Sequence, residues 1–289
     1  MSVKTLSRRI ALGACLLAVF SAAAAEEDVA DRIMQRVYEV YGGDDTFSRL
    51  RFSFEYDGGK TGALALVMAF KRFPAAAGVE SKVIMFSEFP PDKKDIAYLG
   101  WFYRAEQDRN ADQWLYLPEL RLTRKLTRKP RDYSATDRRT EGDEFSVSEL
   151  DMEELVPRAP GLDRHTLLGS ETLGGRSVYT VESVPLAADS SPYGKFVAWV
   201  AKDGYLPLRV DCYNRDLNLV KTLSFEWSRI GDAWVWDRVE AVNRVNGNKT
   251  VLEQSDIHVN LGLPDEMFAK RALDQGGDSF AHRVSTYFR

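Results

Sequence analysis

The chain has 289 residues, of which 44% are hydrophobic and 28% charged, with a formal net charge of −4 at pH 7. This is the balance of a folded protein large enough for one sizeable domain or two small ones, and its acidity speaks against a nucleic-acid partner held through phosphate contacts. With only Cys15 and Cys212 present, a thiolate metal cluster is excluded.

The N-terminus reads as an export signal. Lys4, Arg8 and Arg9 precede the apolar run Ile10 to Phe20, and the small residues Ser21 to Ala25 stand just before Glu26-Glu27-Asp28. That is the order of a secretory signal cleaved after Ala25. The run is shorter than the roughly 20 apolar residues that span a bilayer. Leu12-Gly13-Ala14-Cys15 loosely resembles a lipidation site, but the hydrophobic stretch ahead of Cys15 is too short for one. The expectation is soluble export to the periplasm, with residues 1–25 removed and residues 26–289 forming a single domain. Cys212 is then left without a disulfide partner in its own chain.

Asp28 to Tyr41 is the first predicted element. Val29, Ile33, Val37 and Val40 or Tyr41 recur at helical spacing and Gly42-Gly43 supplies a stop, so an amphipathic helix is expected to cover the sheet that follows. Leu50–Tyr56 and Ala63–Arg72 read as a hairpin around Asp57-Gly58-Gly59-Lys60. Ser81–Phe89 and Ile96–Arg104 are the next strands, separated by Pro90-Pro91. Trp114 to Leu117 is strand-like and Pro118-Glu119 makes a corner. Leu120, Leu122 and Leu126 then alternate with Arg121, Thr123 and Lys125, and Arg124 falls on the leucine side.

Residues 127–161 form a charged insertion, long for a connection inside a compact domain. Ser148 to Leu155 within it is expected to be a short helix capped at Ser148, and the insertion is expected to cover or partly plug the sheet. Strands resume at His165–Glu171 and Arg176–Pro185. Lys195 to Asn260 is a meander of alternating segments broken by Asp203-Gly204, Asn214 to Asn218, Gly231-Asp232 and Asn246-Gly247-Asn248. Met267–Leu273 closes the pattern, and Ser279–Arg289 is expected to be an added strand or disordered.

Catalytic groups are hard to assemble. His165, His258 and His282 are widely spaced, none within a metal-ligand motif, and there is no phosphate-binding glycine loop or serine elbow. The acidic run from Glu141 to Glu154 reads as a solvated face and does not match a calcium loop. No cofactor and no metal is expected. What stands out is apolar surface. Phe52, Phe54, Leu64, Leu66, Met68, Phe70, Ile84, Phe86, Trp114, Tyr116, Phe196, Leu223, Phe225 and Trp227 can be placed on successive strands by their two-residue period, as candidates for the wall of a lipid cavity. Arg124, Lys125, Arg128 and Lys129 make a basic run, read either as a salt-bridged loop or as a docking patch for anionic headgroups. A dozen or so antiparallel strands with few helices must close, pair into two layers or curl around helices.

Several phrases resemble the LolA-like outer membrane lipoprotein-sorting proteins: Gln113–Leu126 (QWLYLPELRLTRKL), Gly142–Leu150 (GDEFSVSEL), Trp199–Leu208 (WVAKDGYLPL), Lys221-Thr222, Asn248–Asn260 (NKTVLEQSDIHVN) and Leu263–Leu273 (LPDEMFAKRAL). Together they run through most of the expected mature chain in order. Asp143-Glu144 and Val147-Ser148-Glu149 depart from the family pattern, although Glu144 and Glu149 keep its acidic character. The resemblance implies a mainly β fold of the LolA/LolB type, a strongly curved antiparallel half-barrel plugged by helices. It also implies a monomeric, non-enzymatic periplasmic carrier of lipoprotein acyl chains or other lipids, working with an inner-membrane transporter such as one of the resistance-nodulation-division class. The alternative is an envelope- or transporter-associated interaction module whose sheet is packed and ligand-free. A periplasmic hydrolase is the third reading.

Overall fold

The computed structural model describes residues 29–288 except 75–76, 105–106, 108, 127–147, 157 and 189. The expected signal segment, most of the charged insertion, Arg128 and Lys129 lie outside the described residues. Helix α1 occupies residues 29–38. Thirteen strands follow: β1 (Asp45–Glu55), β2 (Thr61–Arg72), β3 (Val79–Phe89), β4 (Ala97–Tyr103), β5 (Asp112–Leu117), β6 (Leu122–Leu126), β7 (Asp163–Leu173), β8 (Arg176–Pro185), β9 (Lys195–Ala201), β10 (Pro207–Tyr213), β11 (Leu219–Ile230), β12 (Ala233–Asn243) and β13 (Lys249–Val259). The chain ends in short 3-10 turns and helix α2 (Gly277–Ser285).

All thirteen strands belong to one antiparallel sheet in the order β6-β5-β4-β3-β2-β1-β13-β12-β11-β10-β9-β8-β7. Every neighbouring pair is a sequence hairpin except β1 with β13, which joins the two halves through contacts such as Phe52 with Leu252. This corrects the expected half-barrel. The sheet is open rather than closed or strongly curled, and β6 and β7, the two strands that flank the insertion, stand at its opposite free edges. The reason lies in the connectivity: β1 to β6 extend one edge hairpin by hairpin, while β7 to β13 return from the other edge to β1, so no ladder joins the ends.

Residues paired across a ladder point to the same side, so the register carries one row of side chains over the sheet. On one half it runs Leu115, Tyr98, Met85, Met68; Leu66 faces Leu50 and Phe52 faces Leu64. On the other it runs Ala241, Leu223, Val210, Ala198, Val181. This first face is apolar along most of its width. Its central part packs Leu50, Phe52, Phe54, Leu64, Leu66, Met68, Val83, Met85, Tyr98, Leu223 and Leu252 into one cluster. Toward β7 it is covered by α1, whose Ala30, Ile33 and Val37 pack on Val181, Ala198 and Val200. The helix was expected on the sheet that begins next to it in sequence; it covers the far half instead.

The second face is divided. Over β1 to β5 it is apolar, with Val67, Ala69, Ile84, Phe86, Ala97, Leu99 and Trp114 buried under the C-terminal segment. Asp45, itself buried, accepts from the backbone N–H groups of Leu261 and Leu263 at 2.6 Å each and fixes where that segment turns back. Phe280 of α2 meets Phe86 at 4.9 Å between ring centroids, and Asp95 accepts from Gly277 N–H at 2.7 Å. A Cβ at Gly277 would lie 3.1 Å from the Phe86 Cβ, so glycine permits the close approach. The expectation of a strand or disorder over Ser279–Arg289 is thus replaced by a packed helix through Ser285. Over β9 to β13 the second face carries ion pairs such as Arg209 with Asp211 and Arg238 with Glu240, and faces water.

Candidate functional site

The first face is overlaid by residues 148–155, the described end of the insertion. A 3-10 turn, Met152–Leu155, takes the place of the expected helix, and Glu154 reaches back to Asp151 N–H at 3.0 Å. Leu150 is buried in the central apolar cluster and Leu155 packs against it. Polar contacts then tie this strap to the sheet. Glu149 is buried and accepts from the side-chain amides of Asn243 and Asn248, both at 3.1 Å, while its backbone N–H donates to Thr250 Oγ1 at 2.8 Å.

Lys221 is the centre of the second anchor. It alternates with Leu223 and Phe225 on β11, so its side chain lies in the apolar row, and it is fully buried. Its ammonium donates to both carboxylate oxygens of Glu154 at 2.8 and 3.1 Å, with Asp151 at 4.0 Å. The Tyr193 hydroxyl donates to the same Glu154 at 2.6 Å, and its ring lies 5.7 Å from the Lys221 ammonium. A buried charge persists only where it is paired and hydrogen-bonded, so these partners hold the strap down. Neighbouring Cys212 is buried, and burial, followed by the nearby Glu154 charge, pushes its thiol well above its ordinary value. It is a core thiol and not a nucleophile.

The fourteen cavity candidates separate between the faces. Phe52, Phe54, Leu64, Leu66, Met68 and Leu223 are buried in the central cluster, with Phe70, Phe196 and Phe225 packed against it. Trp227 stacks on Phe225 at 6.2 Å and donates its indole N–H to Pro207 O. Ile84, Phe86, Trp114 and Tyr116 belong instead to the opposite face, under the C-terminal segment. They share no surface with the other ten. A cleft of about 400 Å³ lies between the β1–β2 and β12–β13 turns, lined by residues including Tyr56, Lys60 and Asn246, and none of the fourteen lines it.

Of the basic run, Arg124 and Lys125 are exposed on edge strand β6. Lys125 contacts Asp112 at 2.6 Å, and Tyr103 and Arg109 also donate to that carboxylate. These contacts, Lys125 first, hold Asp112 down at about 2. Burial and then the Asp112 hydrogen bond push Tyr103 up to about 12. Arg124 has no carboxylate partner among the described residues, where Leu115 lies opposite it. His165 is buried between Ser183 Oγ and Pro160 O, and His258 stacks on Phe288. Among the described residues no group of His, Cys, Asp or Glu is arranged to hold a metal ion, and no helix is long and apolar enough to cross a membrane.

The chain is thus an open antiparallel sheet with one face overlaid by a strap and the other by its own C-terminal segment. Residues 79–275 match a family described as uncharacterized-protein-like, and the chain belongs to that family. A DUF1329 family protein from Desulfovibrio piger has a similar structure, with a TM-score of 0.72 at 26% identity over 87% of this chain and 98% of that one. A candidate outer membrane lipoprotein-sorting protein domain from Vibrio parahaemolyticus gives 0.70 at 25% identity over 88% and 100%. A LolA superfamily protein from Nitrosomonas europaea gives 0.56 at 17% over 84% and 98%, a likeness of fold alone. No curated protein matches the sequence. The fold is similar to those of the lipoprotein-sorting domain and the LolA superfamily protein.

Proposed function

We propose that the protein is a non-catalytic module of the cell envelope, exported to the periplasm, that engages a partner through its outer surface while its apolar sheet face stays packed. The observation that carries this reading is the strap: Glu154 on buried Lys221, Glu149 on Asn243 and Asn248, and Leu150 among the core side chains. A face closed by paired charges and a buried leucine serves as a core. The partner is an envelope protein, and an inner-membrane transporter of the resistance-nodulation-division class is the specific suggestion. The relative named for lipoprotein sorting supports the envelope location.

That same relative favours a second reading, in which the face carries an acyl chain. Each buried CH₂ of such a chain contributes about 0.8 kcal/mol, and entry would have to displace Leu150 and Leu155 and leave Lys221 with a new partner. Native mass spectrometry with lipid extraction, on protein purified from an exporting host, separates the two. Protein free of lipid that crosslinks to an envelope protein is the expected result. Stoichiometric phospholipid or lipoprotein, with protease access to residues 148–155 increased, overturns it in favour of the carrier.

A further inference from the structure

The two ends of the sheet differ in composition. Because each neighbouring pair is antiparallel, the turns β1–β2, β3–β4, β5–β6, β8–β9, β10–β11 and β12–β13 all lie at one end, and Glu55 paired with Lys249 fixes β1–β2 beside β12–β13. Nine large apolar residues are exposed among the described residues. Six of them belong to this one end: Phe89, Leu120, Leu122, Leu186, Leu217 and Val245, with Leu120, Leu186 and Leu217 each more than 60% exposed. At the opposite end, where Gly174-Gly175, Gly204 and Gly231 occupy the tips, Tyr41 alone is of this kind.

The backbone at these tips points the same way. Leu217 has φ 62, in the left-handed region that favours glycine. A leucine there is strained, and its side chain is 61% exposed, so folding gains nothing from it. Each apolar tip also has a cation close by. Arg121, with φ 48, stands between Leu120 and Leu122. Arg215 lies two residues before Leu217 and donates to Ala188 O at 2.8 Å, tying that tip to the one carrying Leu186. Arg244 adjoins Val245 and donates to Thr222 Oγ1. None of the three arginines is ion-paired with a described carboxylate; Glu119 and Asp216 are the acids on these tips.

We propose that this end of the sheet docks on a phospholipid bilayer, with the leucines and Val245 reaching the acyl boundary and Arg121, Arg215 and Arg244 at the depth of the lipid phosphates. An apolar tip with a cation one or two residues behind matches the layering of a membrane interface. Strands are about 4.8 Å apart, so the tips form a spaced fringe along the sheet, which suits a continuous lipid surface better than a single pocket of a protein partner. Strand addition at the β6 edge is disfavoured by the adjacent charges Arg124 and Lys125. The inference holds for either reading of the first face.

The test is co-sedimentation of the mature chain with vesicles of equal parts phosphatidylcholine and phosphatidylglycerol. Wild type is expected to bind, and the combined variant Leu186→Ser, Leu217→Ser, Val245→Ser to bind about tenfold or more weakly, the factor that corresponds to each 1.4 kcal/mol lost. Tyr41→Ser, at the other end, should bind as wild type. Leu217→Gly separates docking from folding: thermal stability should rise as strain is relieved while vesicle binding falls. Changing Arg121, Arg215 and Arg244 to Gln should weaken binding to the mixed vesicles more than to phosphatidylcholine alone. Failure of wild type to bind, equal binding by the triple serine variant, or capture of an envelope protein through these residues without lipid overturns the proposal.

Discussion

Lys221 is fully buried in an apolar row, where its charge is tolerable only because Glu154, Tyr193 and Asp151 surround it. Removing one partner of a buried pair leaves an uncompensated charge and typically costs about 3–5 kcal/mol. Glu154→Gln should therefore lower the unfolding free energy by roughly that amount in a denaturant titration, while the double variant Glu154→Gln, Lys221→Met, which removes both charges of the pair and keeps the volume, should cost much less. Equal losses in the two variants would mean that the strap is held by packing. The cluster around Asp112 gives a pH dependence of known sign. Asp112 is held at about 2, below its ordinary 3.8, by Lys125, Tyr103 and Arg109, so its contribution to stability is present above its ordinary value and is lost as pH falls through about 2. Tyr103, pushed up from 10.0 to about 12, contributes stability that is present below its ordinary value and is lost as pH rises through about 12. Asp112→Asn should flatten the acid limb of the stability profile and Tyr103→Phe the alkaline limb, read as urea midpoints across pH.

Helix α2 shows what a short element contributes when packing, and not propensity, decides. Nine residues are too few for a stable isolated helix, yet Phe280 and Val284 are both fully buried against β3 and its neighbours. Phe280→Ala should cost about 3–5 kcal/mol, the usual range for a buried phenylalanine, and differential scanning calorimetry checks it. This was the element least visible in the sequence, because a four-residue step between Phe280 and Val284 is only one repeat of the helical period. Strands were far more legible: Arg176–Pro185 was bounded by its turns to the residue, and the meander from Lys195 to Asn260 contains five strands in the expected order. Face assignment was lost in the strands covered on both sides. Val83, Ile84, Met85 and Phe86 are all buried, as are Trp114 and Leu115, so alternation cannot say which side is which. The strap's contacts had one sequence signal, a lysine at position 221 in step with Leu223 and Phe225.

At the scale of the whole molecule the topology makes two halves that hold each other. The half from β1 to β6 and the half from β7 to β13 share a single strand ladder, β1 with β13. Their terminal pieces are exchanged: α1 precedes β1 but packs on β8 to β10, and the C-terminal segment follows β13 but packs on β1 to β5. No ladder joins β6 to β7, so continuity of the chain between them adds little to the native contacts. A protease site inserted between residues 135 and 136 should accordingly yield, after cleavage, two fragments that co-elute as one particle by size exclusion. They should separate only in denaturant, in one cooperative transition, because losing the β1–β13 ladder also strands both exchanged pieces. Deleting α1 as well should let the nicked fragments part at lower denaturant, since it removes Ala30, Ile33 and Val37 from their seat on Val181, Ala198 and Val200. Fragments that part on a native column would show that the ladder and the exchanged arms are too weak to replace the covalent link, and that the open sheet depends on residues 127–147 to bring its halves together.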